Sequence, residues 1–388
     1  MPAPFAHLEQ HLITLKQQNL YRTRRTLQSA QGIHIKIANK SVINFCSNDY
    51  LGLANHGAII QAMQQATHYY GVGSGSAHLI CGHSHEHQRL EEELAQFTNR
   101  PRALLFSTGY MANMGVITAL MGRGDTLLED KLNHASLIDG GLLAKAHFKR
   151  YAHNNSAHLE TLLHTATGNK LIVSDGVFSM DGDIACLNKL SQLASQYNAW
   201  LMVDDAHGLG VIGQAGKGVV DYCHLNPQDV PILMGTLGKA LGTFGAFIAG
   251  SEILIETLIQ RARSYIYTTA LPSALAAATR KSLQLMQTEQ WRRDKLIELI
   301  AYFKTRAAQY DLHLLPSTTP IQPLIIGSSD RAVQLSTLLL EQGFLVSAIR
   351  PPTVPQGSAR LRITLSALHE KTHIDALLNA LLTHKVVL

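Results

Sequence analysis

One lysine of this chain lies in a glycine-flanked loop shortly after an apolar run. Lys239 belongs to the sequence TLGKALG, between Gly238 and Gly242, and the run 232–236 precedes it. A lysine amine can form a Schiff base with a carbonyl compound, or act as a base once it has lost its proton. Most lysines in loops are only solvated charges, so neighbouring residues must support a chemical role.

Two other segments place polar groups where ligands bind in α/β folds. The run 200–203 leads into DDAHG, which puts Asp204 and His207 at the C-terminal edge of a parallel sheet. The sequence LLFSTGYMANMG puts residues 107–110 between a strand and a helix, whose first backbone N–H groups attract anions. A structural ion pair for Asp204 and a helix cap for Thr108 are the simpler alternatives.

These features together fit pyridoxal 5'-phosphate (PLP). The amine of Lys239 would form a Schiff base with the aldehyde, and Asp204 would keep the pyridine nitrogen protonated. The helix N-terminus would bind the phosphate. The sequence therefore predicts a PLP-dependent enzyme rather than a non-catalytic binding protein.

Five ordered motifs carry a resemblance to a known family. They are STGYMANMG, NHASLIDG, DGVFSMDGD, DDAHG and TLGKALG, within a region that runs from Ser47 to Glu370. This pattern resembles the α-oxoamine synthases, which condense an amino acid with an acyl thioester and release CO2. The resemblance implies an α/β fold of the fold type I PLP-dependent transferases, with a mostly parallel seven-stranded sheet in a large domain and a smaller C-terminal α+β domain.

The resemblance also implies a substrate pair. The segments AIRPPTVPQGSARLRITLSA and DGVFSMDGDIA favour L-alanine and a pimeloyl thioester, as used in biotin biosynthesis. The acyl donor is either pimeloyl-CoA or a pimeloyl carrier protein. The alternative is a sister activity, such as that of a glycine C-acetyltransferase, because the two amino acids differ by one methyl group, which is worth only ~1 to 3 kcal/mol.

Four residues are implied to be catalytic. Lys239 would be the Schiff-base lysine, Asp204 the partner of the pyridinium nitrogen, and His207 a hydrogen-bond donor to the phenolate oxygen. His134 of the NHAS motif would stack on the pyridine ring and meet the substrate. The other implied cofactor contacts are Gly109, Tyr110, Ser179 and Thr236.

A second group of residues is implied to bind substrate. Asn48 and Arg362 would hold the amino-acid carboxylate, the arginine through a bidentate fork. Arg22 and Thr353 would meet the substrate at its acyl end.

Two adjacent threonines imply a particular assembly. Thr268 and Thr269 would reach the phosphate bound by a neighbouring subunit. The resemblance therefore implies a homodimer whose active sites are shared between subunits.

The elements that must position these residues follow an alternating pattern. Short apolar runs alternate with helical segments, which predicts a largely parallel sheet covered on both faces. The runs are 103–106, 126–129, 171–174, 200–204, 232–236 and 244–249. We predict an N-terminal helix and strand segment over 1–44, a large PLP-binding domain over 45–275 and a small C-terminal domain over 276–388.

Composition excludes several other classes of protein. The 388 residues are 46% hydrophobic and 16% charged, which is typical of a globular protein. The charge of +5 is not gathered into a basic run, and no apolar run is long enough for a membrane span, so we expect neither nucleic acid nor membrane as a partner, and a cytoplasmic location. His83, His85 and His87 alternate, but the helical spacing that follows separates them, so no metal site is expected.

Overall fold

The computed structural model describes residues 5–384 of the chain. Most of its strands are short, and they form three sheets. The strands are β1 (His34–Ile37), β2 (Lys40–Asn44), β3 (Arg102–Phe106), β4 (Thr126–Asp130), β5 (His147–Tyr151), β6 (Lys170–Asp175), β7 (Trp200–Asp204), β8 (Ile232–Thr236), β9 (Ala246–Gly250), β10 (Ile321–Gly327), β11 (Phe344–Leu345), β12 (Ser347–Ile349) and β13 (Ala359–Thr364).

Helices connect most of these strands. The α-helices are α1 (Ala6–Gln17), α2 (Gly57–Tyr70), α3 (His85–Phe97), α4 (Gly109–Leu120), α5 (Ala135–Ala144), α6 (Ser156–Leu163), α7 (Leu187–Gln196), α8 (Val219–Tyr222), α9 (Glu252–Arg261), α10 (Arg263–Ile266), α11 (Ser273–Thr288), α12 (Trp291–Gln309), α13 (Ser329–Glu341) and α14 (Lys371–Thr383). A π-helix (His78–Gly82) and a 3-10 helix (Gln214–Gly216) complete the helical elements of residues 5–384.

The chain forms two compact units, and the larger one carries the main sheet. It comprises residues 48–179 and 183–294. Its seven strands lie in the order β3-β9-β8-β7-β6-β4-β5. Only β9 runs antiparallel to its neighbours β3 and β8, whereas the remaining pairs are parallel. This confirms the predicted mostly parallel seven-stranded sheet.

Six of the seven strands coincide with the apolar runs of the sequence. The interior strands β4, β8 and β9 are almost completely buried, as expected for strands with helices on both faces. The seventh strand, β5, has the sequence HFKRY and lies at the sheet edge, where only Tyr151 is fully buried. Its polar side chains gave no apolar signal, so it was not among the predicted runs.

The smaller unit contains two three-stranded sheets. It comprises residues 5–47, 180–182 and 295–384. In one sheet β2 pairs with β1 antiparallel and with β11 parallel, and in the other β13 lies between β10 and β12. The N-terminal segment thus belongs to the same unit as the C-terminal part, and residues 276–294 belong to the larger unit. The domain limits of 44 and 275 differ from these bounds and stay a prediction.

Across residues 5–384, none of the helices combines the length and apolar character that crossing a membrane requires.

Candidate active site

Acidic residues lie side by side where the central strands of the large sheet end. Asp175 ends β6 and Asp204 ends β7, and the parallel register pairs them directly. A cavity of about 200 Å³ opens in front of this edge. The residues that line it are Gly109, Tyr110, Asn113, His134, Ser136, Asp175, Val177, Ser179, Asp204, Ala206, His207, Met234, Thr236 and Lys239.

Asp204 is the carboxylate at the floor of this cavity. Its side chain is buried, and its two oxygens accept hydrogen bonds from Asn113 Nδ2 at 2.7 Å and from the Ala206 backbone N–H at 3.0 Å. Burial and the charge of Asp204 raise the pKa of Asp175 well above its usual value. The buried Asp175 carboxyl therefore favours its protonated form more than an exposed aspartate does.

The N-terminus of α4 forms one wall of the cavity. The Thr108 hydroxyl caps this helix by accepting from Met111 N–H at 3.2 Å. Thr108 therefore has the helix-capping role that the sequence offers as the simpler alternative. The backbone approaches closely at Gly109, where an added Cβ would lie 3.2 Å from Met234 Cε. Tyr110, the second residue of α4, donates a hydrogen bond to Asp139. The first N–H groups of a helix lack intrahelical acceptors, so this wall suits an anion.

A hydrogen-bonded line connects the carboxylate with His134. Asn113 Nδ2 donates to Ser136 Oγ at 2.8 Å as well as to Asp204, and that hydroxyl lies 2.8 Å from His134 Nδ1. His134 Nδ1 also accepts from Ser136 N–H at 3.3 Å, so it has a lone pair and Nε2 carries the proton. Burial lowers the pKa of His134, although the charge of Asp204 opposes this, and the ring is neutral at pH 7.

Lys239 lines the cavity and contacts His207 there. Lys239 Nζ lies 3.0 Å from His207 Nε2, and His207 Nδ1 lies 2.5 Å from the Tyr50 hydroxyl. Tyr50 in turn donates to Asn48 Oδ1 at 3.3 Å. The loop of Lys239 is fixed because Gly242, with φ of +62°, packs so closely that a Cβ would lie 2.4 Å from the Ala54 backbone nitrogen.

The structure thus brings eight of the predicted site residues together at one cavity. They are Lys239, Asp204, His207, His134, Gly109, Tyr110, Ser179 and Thr236. Asn48 does not line the cavity but is connected to His207 through Tyr50. The individual roles of these residues stay predictions.

Thr268 and Thr269 lie outside the cavity lining. Thr269 pairs with Ala77 in an isolated bridge, and its carbonyl accepts from Ser107 Oγ at 3.5 Å, next to the start of α4. Thr269 is exposed. A role in the site of another subunit is untested by these positions and stays a prediction.

The other predicted substrate residues belong to the smaller unit. Arg362 is buried in β13, where its Nη1 donates to Thr364 Oγ1 at 3.0 Å. Arg22 and Thr353 are exposed. Their contacts with substrate stay predictions.

Sequence reasoning did not assign roles to Asn113, Ser136, Asp175 and Tyr50. Asn113 stands four residues after Gly109, a spacing that puts both on one face of α4, so helical periodicity could have found it. Asp175 directly follows the apolar run 171–174, as Asp204 follows the run 200–203, so its position at the same sheet edge could have been predicted. Tyr50 lies in a loop without periodicity, and only the tertiary structure brings it to His207.

Histidines cluster elsewhere without forming a metal site. His78 Nδ1 lies 2.9 Å from His83 Nδ1, and His87 Nε2 lies 2.6 Å from the Leu271 carbonyl oxygen. In the part of the chain that the structure describes, no three His, Cys, Asp or Glu side chains come together as a metal ion would require.

The sheet order and the lysine-containing cavity define a class of protein. The chain belongs to the aminotransferase class I and II family, whose model matches residues 40–381.

Particular relatives narrow this class. The chain is 60% identical to the 8-amino-7-oxononanoate synthase of Saccharophagus degradans, over 97% of this chain and 96% of the relative. It is 58% identical to the enzyme of the same name from Pseudomonas putida, over 96% of both chains.

Solved structures agree with this family. A serine palmitoyltransferase from S. paucimobilis, solved with bound PLP and myriocin, is 27% identical and superimposes with a TM-score of 0.93, covering 99% of this chain and 98% of that one. The 8-amino-7-oxononanoate synthase of Francisella tularensis is 33% identical, with a TM-score of 0.78, covering 88% of this chain and 97% of that one. The fold type I architecture predicted from the sequence is confirmed.

Proposed function

We propose that this protein catalyses the PLP-dependent decarboxylative condensation of L-alanine with a pimeloyl thioester. The products are 8-amino-7-oxononanoate, CO2 and a free thiol, and the reaction belongs to biotin biosynthesis. The observation that carries this proposal is one cavity in which Lys239, Asp204 and His134 converge, in a chain 60% identical to the 8-amino-7-oxononanoate synthase of Saccharophagus degradans.

The residues of the cavity fit PLP. A buried carboxylate at the floor suits a protonated pyridine nitrogen, because a buried charge requires a partner of opposite sign. The neutral ring of His134 suits the face of an aromatic ligand, and the N-terminus of α4 suits a phosphate. Gly109 leaves room where a Cβ would contact Met234. Residues Lys239, Asp204, His134, His207, Ser179, Thr236, Gly109 and Tyr110 would hold the cofactor.

Bound PLP supplies an electron sink for negative charge that develops at the substrate Cα. Asp204 keeps the proton on the pyridine nitrogen, and Asn113 fixes that carboxylate in place. The Lys239 amine is the base that removes the α-proton and later returns one, and its neighbour His207 orients it at 3.0 Å. Asn48 and Arg362 bind the carboxylate of alanine, and Arg22 and Thr353 meet the pimeloyl chain.

The proposed assembly is a homodimer with shared active sites. The bridge between Ala77 and Thr269 places two segments of the larger unit side by side. The same stretches of chain carry exposed apolar side chains: Val72 is 84% exposed, Ile80 is 79% exposed and Tyr267 is 71% exposed. Exposed apolar side chains are typical of an interface, which supports a second copy of the chain next to Thr268 and Thr269. A cytoplasmic location stays a prediction from the sequence.

Product mass spectrometry tests the activity directly. Purified, PLP-loaded protein is incubated with L-alanine and pimeloyl-CoA, and in parallel with glycine and acetyl-CoA. We expect the mass of 8-amino-7-oxononanoate from the first pair only. Product from the second pair alone would replace the proposed substrates by those of the sister activity. If neither pair reacts, the same assay with a pimeloyl carrier protein distinguishes the donors.

A further inference from the structure

A buried tyrosine contacts the histidine beside Lys239, although it does not line the cavity. The Tyr50 side chain is fully buried, and its hydroxyl lies 2.5 Å from His207 Nδ1, on the side of the ring opposite Lys239. An imidazole nitrogen is either a donor or an acceptor, so the group at Nδ1 decides the behaviour of Nε2. The phenol of Tyr50 is therefore placed to control whether Nε2 of His207 donates to, or accepts from, the group at Lys239.

The two ends of this line of contacts fix its direction. The ammonium form of Lys239 has no lone pair, so in that form Lys239 donates to His207 Nε2. Nδ1 then carries the ring proton and donates to the Tyr50 oxygen. The Tyr50 hydroxyl donates a hydrogen bond to Asn48 Oδ1, a carbonyl oxygen that can only accept. Each of the three hydrogen bonds then has one donor and one acceptor, and all three point from Lys239 towards Asn48.

The opposite polarity is also available, because a phenol can both accept and donate. When an anionic oxygen instead of an ammonium group faces Nε2, that nitrogen must carry the proton, and Tyr50 then donates to the bare Nδ1. We propose that Tyr50 is a positioning residue that lets His207 exchange its protonated nitrogen between these two states. This inference rests on the proposed function, in which His207 faces the phenolate oxygen of PLP.

The backbone around Tyr50 is fixed, which keeps the phenol in place. Asp49 accepts from Leu53 N–H at 2.8 Å and from Ala54 N–H at 3.1 Å. Arg292 Nη1 donates to the Leu51 carbonyl at 2.8 Å. Gly242, in the loop of Lys239, packs directly against Ala54, so the two loops hold each other at a set distance.

Nitrogen NMR of the histidine ring tests this proposal. Protein labelled with ¹⁵N in its histidine rings is studied with and without PLP, and a His207→Gln variant identifies the His207 signals. In the wild type we expect the proton on Nδ1 without cofactor and on Nε2 with it. The same protonated nitrogen in both wild-type states would overturn the proposal, whether or not any variant folds.

A matched pair of tyrosine variants gives the second measurement. Tyr50→Phe removes the phenol oxygen, whereas Tyr302→Phe removes a hydroxyl that donates to Asp375 at 2.8 Å in the smaller unit. In Tyr50→Phe, Nδ1 of His207 loses its partner, so we expect a mixture of both ring forms, with or without cofactor, where the wild type has one form in each state. We also expect the pH midpoint of the bound cofactor's visible absorbance to move by up to about one unit, the size expected when one hydrogen bond to the His207 ring is lost. Tyr302→Phe should keep the wild-type values.

An unchanged ring pattern and midpoint in Tyr50→Phe would contradict the inference. Failure of the proposed function is recognised separately, because the wild type would then give no condensation product with any of the thioesters, whatever the His207 signals show.

Discussion

At the scale of single residues, the two neighbouring acids Asp175 and Asp204 differ in their hydrogen bonds. Asp175 and Asp204 end adjacent strands in direct register, and two buried carboxylates in one site do not both ionise readily. Both line the cavity, but Asp175 accepts from His134 N–H at 3.1 Å, whereas Asp204 accepts from Asn113 Nδ2 and from Ala206 N–H. Asp204 is therefore the carboxylate that we propose as the partner of a cationic ring nitrogen.

We predict that Asp204→Asn lowers the turnover number by at least about a hundredfold, the scale expected when a preorganised charge is removed from an active site. The neutral amide cannot keep the pyridine nitrogen protonated, but Asn113 can still donate to its oxygen, so the fold is retained. Steady-state kinetics and far-UV circular dichroism measure both effects. Asp229→Asn, which alters a half-buried carboxylate in a turn, should leave the turnover number unchanged. Wild-type turnover in Asp204→Asn would contradict the assignment.

At the scale of elements, loops at the sheet edge hold these residues in place. The apolar runs of the sequence predicted six of the seven strands, because strands buried on both faces are almost continuously apolar. They could not show that the loops of Tyr50 and Lys239 pack backbone to backbone, because that contact joins segments nearly two hundred residues apart. Asn113 could have been found from helical spacing, whereas β5 could not be found from hydrophobicity because polar side chains dominate it.

The close packing at Gly242 yields a stability prediction. Gly242→Ala should lower the free energy of unfolding by about 1–3 kcal/mol, because an L side chain is strained at positive φ and its Cβ would lie 2.4 Å from the Ala54 nitrogen. Urea denaturation measures the change. Gly57→Ala is the matched control, since an added Cβ there has no atom within 4 Å. Equal unfolding free energies for the two variants would show that the contact is not restrictive.

A histidine between two aspartates fixes the loop that follows Ser179. His153 Nδ1 lies 3.0 Å from Asp130, and its Nε2 lies 2.8 Å from Asp183. Burial alone would lower the pKa of His153, but the hydrogen bonds and charges of the two aspartates outweigh it and raise the pKa from 6.5 to about 10. A pKa raised by folding stabilises the native state fully below the unfolded value, and this contribution is lost as the pH rises through the folded value.

We therefore predict that His153→Gln destabilises the protein by about 1–3 kcal/mol near pH 6, on the scale of a charge-assisted hydrogen bond, and progressively less as the pH rises to 10. Urea denaturation of the wild type and the variant at several pH values measures this difference. His147→Gln, at an exposed position of β5, controls for the loss of a histidine. A difference that stays constant or grows with pH would contradict the assigned charge state.

At the scale of the whole molecule, the shared active site is the main open prediction. The cavity contains the lysine, the carboxylate and the start of α4, whereas Thr268 and Thr269 lie outside its lining. If those threonines complete the phosphate site of a second copy, each site needs residues from two chains. Arg362 is buried in the smaller unit, and its contact with substrate stays a prediction.

Mixing two inactive variants tests this arrangement. Lys239→Ala and the double variant Thr268→Ala, Thr269→Ala should each have little activity. In a mixed dimer, one site keeps both Lys239 and intact threonines, so unfolding and refolding the variants together should restore about a quarter of wild-type activity for random pairing. Light scattering should give twice the chain mass of 42.5 kDa. No recovery in confirmed mixed dimers would place the threonines elsewhere than in a shared site.

The identity of the lysine that binds the cofactor is the most direct test of the account as a whole. The PLP-loaded protein is reduced with borohydride, which makes the bond between the cofactor and its lysine permanent, and is then digested and analysed by mass spectrometry. We predict the added mass on Lys239 alone, with no modification in a Lys239→Ala variant and unchanged modification in Lys189→Ala. Modification of a different lysine, or of none, would contradict the assignment of this cavity as the active site.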